Sequence, residues 1–190
     1  MPGPDGNFYG TTYQGGANGD GTVFKITREG TVETLHSFDA TDGAFPYAGL
    51  VLGADGSSYG TTIAGGANEA YGTVFKLNRD GTLETLHSFD GTDGEYPLGG
   101  LVPGPDGSFY GTTAQGGGNG YGTVFKITRE GRFETLHNFE NTDGAYPYAG
   151  LLRGADGTFY GTTFRGGANG FGAVYSVRVP AHERGWPDGE

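Results

Sequence analysis

The hydrophobic and polar positions fall into short apolar-rich runs of four to eight residues separated by glycine and aspartate. The stretch Gly99 to Phe139 shows the pattern cleanly: GGLV, SFYGTT, GTVFKIT and RFETLHNF, divided by GPDG, a Gly/Asn-rich segment and REG. Val, Phe, Tyr, Thr and Ile suit a pleated, half-buried surface. Gly and Asp supply the tight or positive-φ turns that end strands. One such stretch therefore predicts a four-stranded antiparallel meander. No run free of breakers has helical apolar spacing, so no helix is predicted.

The stretch recurs. Its tyrosine stands at Tyr9, Tyr59, Tyr110 and Tyr160, at spacings of 50, 51 and 50 residues. The extra residue lies in the loop GGANEAYG, where insertion costs least. Four strands repeated every fifty residues or so predict the blades of a β-propeller. The expected fold is all-β, a single propeller domain over residues 1–179. Its repeats run 1–48, 49–98, 99–148 and 149–179, followed by a tail, 180–190. Four repeats in this length point to four blades. The first copy lacks most of its inner strand and the fourth its outer strand, which leaves fourteen clear strands. These incomplete terminal blades could be completed by further repeats or by a partner copy, a route to homo-oligomers.

Within each unit, the third and fourth strands are joined by Arg28-Glu29-Gly30, Arg79-Asp80-Gly81 or Arg129-Glu130-Gly131. These predict three-residue hairpins with glycine in the left-handed region. That register sets Lys25 opposite Glu33, Lys76 opposite Glu84 and Lys126 opposite Glu134. Copy four has Ser176 for the lysine and no glutamate, which favours a structural pairing. The segments Ala48–Val51, Gly99–Val102 and Ala149–Leu152 are small and bare, as strands nearest a narrow axis would be. The Asp-Gly pairs at 5–6, 55–56, 106–107 and 156–157 read as turns between first and second strands.

Composition narrows the function. Glycine is 41 of the 190 residues, yet 14% of the chain is aromatic and the period is strict, so this is glycine-rich β structure rather than a linker. The formal charge is −11 with no basic cluster, which argues against nucleic acid. No apolar run is long enough to span a membrane as a helix. There is no cysteine. The amino-terminal MPGPDGNFYG is not a signal peptide.

Two sets of loops should emerge at one end of the blades: TDGAFPYAG-type loops before each first strand and GGANG-type loops after each second strand. They would gather Asp42, Asp93 and Asp143 with Asn18, Asn68, Asn119 and Asn169. They would also gather Tyr47 and Tyr148, Phe45, Tyr96 and Tyr146, and the set Tyr71, Tyr121 and Phe171. Flat rings beside carboxylates and carboxamides suit sugars, by stacking and by hydrogen bonds to hydroxyls. Plain turn chemistry is the competing reading. The histidines His36, His87 and His137 share one repeat position and read as structural. No metal site is expected: calcium at acidic loops such as 39–43 would have two carboxylates per loop and no EF-hand spacing. No other cofactor is implied.

At YGTT, GGANG, GTVFK and TDGAxPxAGL the repeat resembles the GloVer tandem repeat of bacterial choice-of-anchor proteins, over residues 7 to about 179. The resemblance implies secretion or surface display and brings no catalytic residues. The order of first strand, DG turn and FYGTT strand is also similar to NHL-type blades, an analogy of fold alone. The favoured function is a non-catalytic module that binds glycans through its loop face. The alternatives are a polysaccharide-active hydrolase or lyase with an axial site, built from Asp42, Asp93 and Asp143 with Glu95, Arg153 and Arg165 as copy-specific suspects, and a purely structural scaffold.

Overall fold

The structure is a computed structural model that describes residues 1–67 and 71–179. Its fourteen strands are β1 (Phe8–Thr12), β2 (Thr22–Ile26), β3 (Val32–Ser37), β4 (Val51–Leu52), β5 (Ser58–Thr62), β6 (Thr73–Leu77) and β7 (Leu83–Ser88), then β8 (Val102–Pro103), β9 (Phe109–Thr113), β10 (Thr123–Ile127), β11 (Phe133–Asn138), β12 (Leu152–Arg153), β13 (Phe159–Thr162) and β14 (Val174–Val177). They form four antiparallel sheets in chain order: β1-β2-β3, β4-β5-β6-β7, β8-β9-β10-β11 and β12-β13-β14. The described residues contain no helix. The tail 180–190 lies outside them.

The hairpin register is the expected one. Lys25 faces Glu33, Lys76 faces Glu84 and Lys126 faces Glu134, and Gly30, Gly81 and Gly131 take positive φ in the connecting turns. The ion pairs follow only in the first sheet. There Lys25 reaches Glu33 at 2.7 Å. In the next two sheets Lys76 turns to Asp55 at 3.1 Å and Lys126 to Asp106 at 2.8 Å, the carboxylates of the DG turns. The first sheet differs because Asn7 stands where the others have Ser57 and Ser108. Its amide already occupies Asp5, at 2.7 Å.

The inner strands are shorter and later than their bare sequence suggests, two residues each. The residues before them run close together instead. A Cβ on Gly99 would stand 2.7 Å from the Gly150 nitrogen. The glycine of each YGTT has an equally concrete cause. The tip of the ring of Phe24, Phe75, Phe125 or Tyr175, on the neighbouring strand, reaches over Gly10, Gly60, Gly111 or Gly161, where any Cβ would overlap it. The following threonine tethers one sheet to the next. Thr11, Thr61 and Thr112 donate to the carbonyls of Ala48, Pro97 and Ala149 at 3.1–3.2 Å.

Each outer hairpin carries a bulge. His36 pairs with Val23 and Thr34 with Phe24, which leaves Leu35 extra; Leu86 and Leu136 are its counterparts. A bulge turns two successive side chains to one face, so leucine and histidine both point to the following sheet. The core consists of the spaces between sheets. Among the described residues, three apolar clusters join the four sheets: one around Val23, Phe38 and Phe75, one around Tyr59, Phe89 and Phe125, and one around Tyr110, Phe139 and Phe159. A closed ring of four would need a fourth cluster between the first and last sheets. In its place, Phe8 is 55% exposed on one end and Tyr160 40% exposed on the other.

Candidate functional site

The two sets of loops meet at one end of the sheets, as their order requires. The loop before each first strand threads between two sheets. The amide of Phe45 donates to Asp20 of the first sheet at 2.7 Å, and its carbonyl accepts from Ile63 of the second at 3.3 Å. Tyr96 and Tyr146 repeat both bonds: Tyr96 donates to Tyr71 and accepts from Ala114, and Tyr146 donates to Tyr121 and accepts from Phe164. All three aromatic residues sit at positive φ, between 55° and 60°. Such a conformation costs a bulky side chain on the order of 1 kcal/mol or more and holds only where bonds on both sides fix it. The sequence gives no local sign of it beyond the proline that follows each.

The carboxylates in these loops are each engaged by an outer-strand histidine. Asp42, Asp93 and Asp143 accept a hydrogen bond from the Nε2–H of His36, His87 and His137 at 2.6–2.7 Å. The second oxygen of each takes the amide of Asp39, Asp90 or Glu140 at 2.9–3.2 Å. Each pair thus ties an outer strand to the loop leaving it. The His87 ring also stacks on Phe133 of the following sheet, with centroids 3.9 Å apart. This pairing was not expected from alternation along the strand, although each copy that has the histidine has an aspartate six residues later. Asp39 and Asp90 are held below the usual carboxylate range by hydrogen bonds from Thr41 and Thr92.

The carboxamides are divided. Asn18 donates to the Phe38 carbonyl at 2.9 Å and Asn119 to that of Phe139 at 3.3 Å, both as loop clasps. Asn169 is exposed. Asn68 lies outside the described residues. Of the copy-specific residues, Glu95 pairs through its backbone with Gln115, Arg153 is exposed on β12, and the Arg165 guanidinium lies over the Phe164 ring at 5.6 Å. Among the described residues no three His, Asp or Glu side chains come close enough to hold a metal ion.

The rings are what this end offers to solvent. Tyr47 is 65% exposed, Tyr148 44% and Phe171 92%. Tyr71 and Tyr121 are half-buried against the clusters between sheets, and Tyr121 meets Tyr146 edge-on at 6.1 Å. Two further exposed rings escaped the sequence reading. Tyr13 stacks on Phe45 at 5.2 Å and meets Tyr47 at 6.2 Å. Phe164 stacks on Tyr148 at 5.2 Å. Both occupy the variable position after the second threonine of YGTT, filled by Ile63 and Ala114 in the middle copies. That variability was the available signal.

Four like sheets, a repeated loop end and copy-equivalent clasps define an all-β tandem-repeat protein. More particularly, the chain belongs to the Gloeobacter/Verrucomicrobia repeat family, whose pattern covers residues 1–184. No curated protein matches it. Its backbone is similar to a protein that a structural-genomics consortium calls a putative gluconolactonase, with TM-score 0.55 and 18% identity over 93% of this chain and 58% of that one. It is also similar to a gluconolactonase of Xanthomonas campestris, with TM-score 0.52 and 14% identity over 84% of this chain and 52% of that one. The chain spans little more than half the length of either, and at such identities the likeness is one of fold.

Proposed function

We propose that the four sheets are successive blades of a β-propeller, forming an arc of it, and that the loop end is a repeated glycan-binding face on a secreted or surface-displayed protein. The arc is favoured by the three clusters among the described residues and the two exposed end faces. The observation that carries the binding reading is the exposure of ring pairs at the loop end, Tyr13 with Tyr47 and Tyr148 with Phe164, on a backbone held from both sides. Held rings lose little freedom on stacking against a sugar. The nearby Asp and Asn groups mainly fix the loops, so the rings supply the contact and weak sites gain by repetition. An axial enzyme has less support, because Asp42, Asp93 and Asp143 are each tied to an outer-strand histidine.

The test is native affinity electrophoresis through gels holding soluble plant and bacterial polysaccharides, with and without calcium. The protein is expected to be retarded by at least one polymer that stays intact. Replacing Tyr47 and Tyr148 together by alanine should strongly reduce the retardation while leaving the thermal midpoint in place. At about 0.5–1.5 kcal/mol per ring, the double variant binds on the order of tenfold more weakly. Unretarded wild type across the panel, or an equally retarded double variant, contradicts the proposal. Shortening of the polymer would point to the enzyme instead.

A further inference from the structure

The three spaces between sheets are built alike except at one position. Between the second and third sheets Tyr59 stacks on Phe109, with centroids 4.2 Å apart. Between the third and fourth, Tyr110 stacks on Phe159 at 4.3 Å. Between the first and second sheets Tyr9 stands in the tyrosine position, but the partner position holds Ser58. No protein ring fills the vacated volume. A cavity of about 420 Å³ lies there, and Tyr9, Leu35, Leu77 and Ser58 are in its wall.

We propose that this cavity binds a small planar aromatic compound, whose ring takes the place that Phe109 and Phe159 take in the other two spaces. The size falls within the usual range for small-molecule sites. The surroundings favour a flat ring over other shapes. Tyr9 is held in place by a 2.8 Å hydrogen bond from its hydroxyl to Asp5, so its ring is a fixed stacking partner. Leu35 and Leu77 in the wall give apolar contact. Lys25 and Glu33, which also line the cavity, hold each other at 2.7 Å and do not demand a charged ligand. Arg79 is a further lining residue and can meet a polar substituent on the ring. The cavity lies among the DG turns and hairpin turns, at the opposite end from the loop face, so it stands or falls independently of glycan binding.

The experiment is ligand-observed NMR of the full chain with phenol, using cyclohexanol as the non-planar control. Wild type should bind phenol saturably, in the millimolar range expected of a single ring, and cyclohexanol at least several-fold more weakly. Ser58→Phe closes the site from within. It should weaken phenol binding tenfold or more and raise the thermal midpoint, because the new ring stacks on Tyr9. If Ser58→Phe does not fold, Ser58→Leu fills part of the same volume and should weaken phenol several-fold. Absence of saturable phenol binding to wild type, equal binding of cyclohexanol, or undiminished binding by the folded Ser58 variant would each overturn the proposal.

Discussion

The two middle sheets and the two end sheets carry nearly the same side chains at the same repeat positions, yet their surroundings differ. Tyr59 and Tyr110 are wholly buried against the sheet that follows, whereas Tyr160 is 40% exposed. Val74 and Val124 are buried, and their counterpart Val174 is exposed. Phe109 and Phe159 are covered by the sheet before them, and Phe8 is not. One motif is therefore core or surface according to whether a neighbour lies on that side. The stabilising unit is the space between two sheets rather than the sheet itself, as nearest-neighbour energetics of repeat proteins implies.

Truncating rings on either side of that divide sharpens the comparison most. Phe125→Ala removes a fully buried ring from the space between the second and third sheets, and should cost about 3–5 kcal/mol. Phe8→Ala, at an open end, should cost about 0.5 kcal/mol. Urea unfolding of both variants measures the contrast. Similar losses at the two positions would mean that Phe8 is covered in solution.

A smaller effect separates the DG turns. Asp106 is held down to about 2: burial opposes the shift, but hydrogen bonds from Lys126, the Ser108 amide and Tyr110 outweigh it. Its folded value thus lies below the unfolded one of roughly 3.9. The stability it contributes is present above the unfolded value and is lost as pH falls toward 2. Asp106→Asn should cost about 1–2 kcal/mol at pH 7, a figure already discounted for solvent screening, and most of the cost should be gone by about pH 2, the remainder disappearing below it. Asp55 is also held down to about 2, against burial, by Tyr59, Lys76 and the Ser57 amide, and its variant should follow the same curve. Asp5 is exposed and has no lysine partner. Its Asn variant should show a weaker pH dependence, read from thermal midpoints across the acid range.

The smallest effect concerns the fourth sheet. Tyr175 stands where the others have Phe24, Phe75 and Phe125, and its buried hydroxyl has no hydrogen-bond partner among the described residues. Tyr175→Phe removes an unpaired polar group and should raise stability by up to about 1 kcal/mol. A loss would show that the hydroxyl is satisfied in solution.

Much of this architecture is legible in the repeat. Strand number, sheet order, hairpin register and the gathering of loops at one end follow from period, turn residues and alternation. What escaped depends on contacts that alternation does not carry. The bulges at Leu35, Leu86 and Leu136 follow from burying two adjacent side chains against the next sheet. The turn of Lys76 and Lys126 from their facing glutamates to Asp55 and Asp106 depends on what neighbours each aspartate. The rings at Phe45, Tyr96 and Tyr146 take positive φ because bonds from two sheets hold them. At the candidate site the sequence located the loop end. It did not separate aspartates and asparagines that clasp loops from rings left open to solvent, because that division is made by partners beyond the reach of alternation, six residues away for the aspartates and twenty for Asn18 and Asn119.

The proposal is that glycan meets the rings of the loop end, and not the exposed rings of the open ends. It is tested most directly by NMR of the protein with isotope-labelled tyrosines, titrated with the polysaccharide that retards it. Resonances of Tyr47, Tyr148 and Tyr13 should shift saturably while that of Tyr160 stays fixed. A shift confined to Tyr160, or no tyrosine shift at saturating polymer, would overturn the proposal.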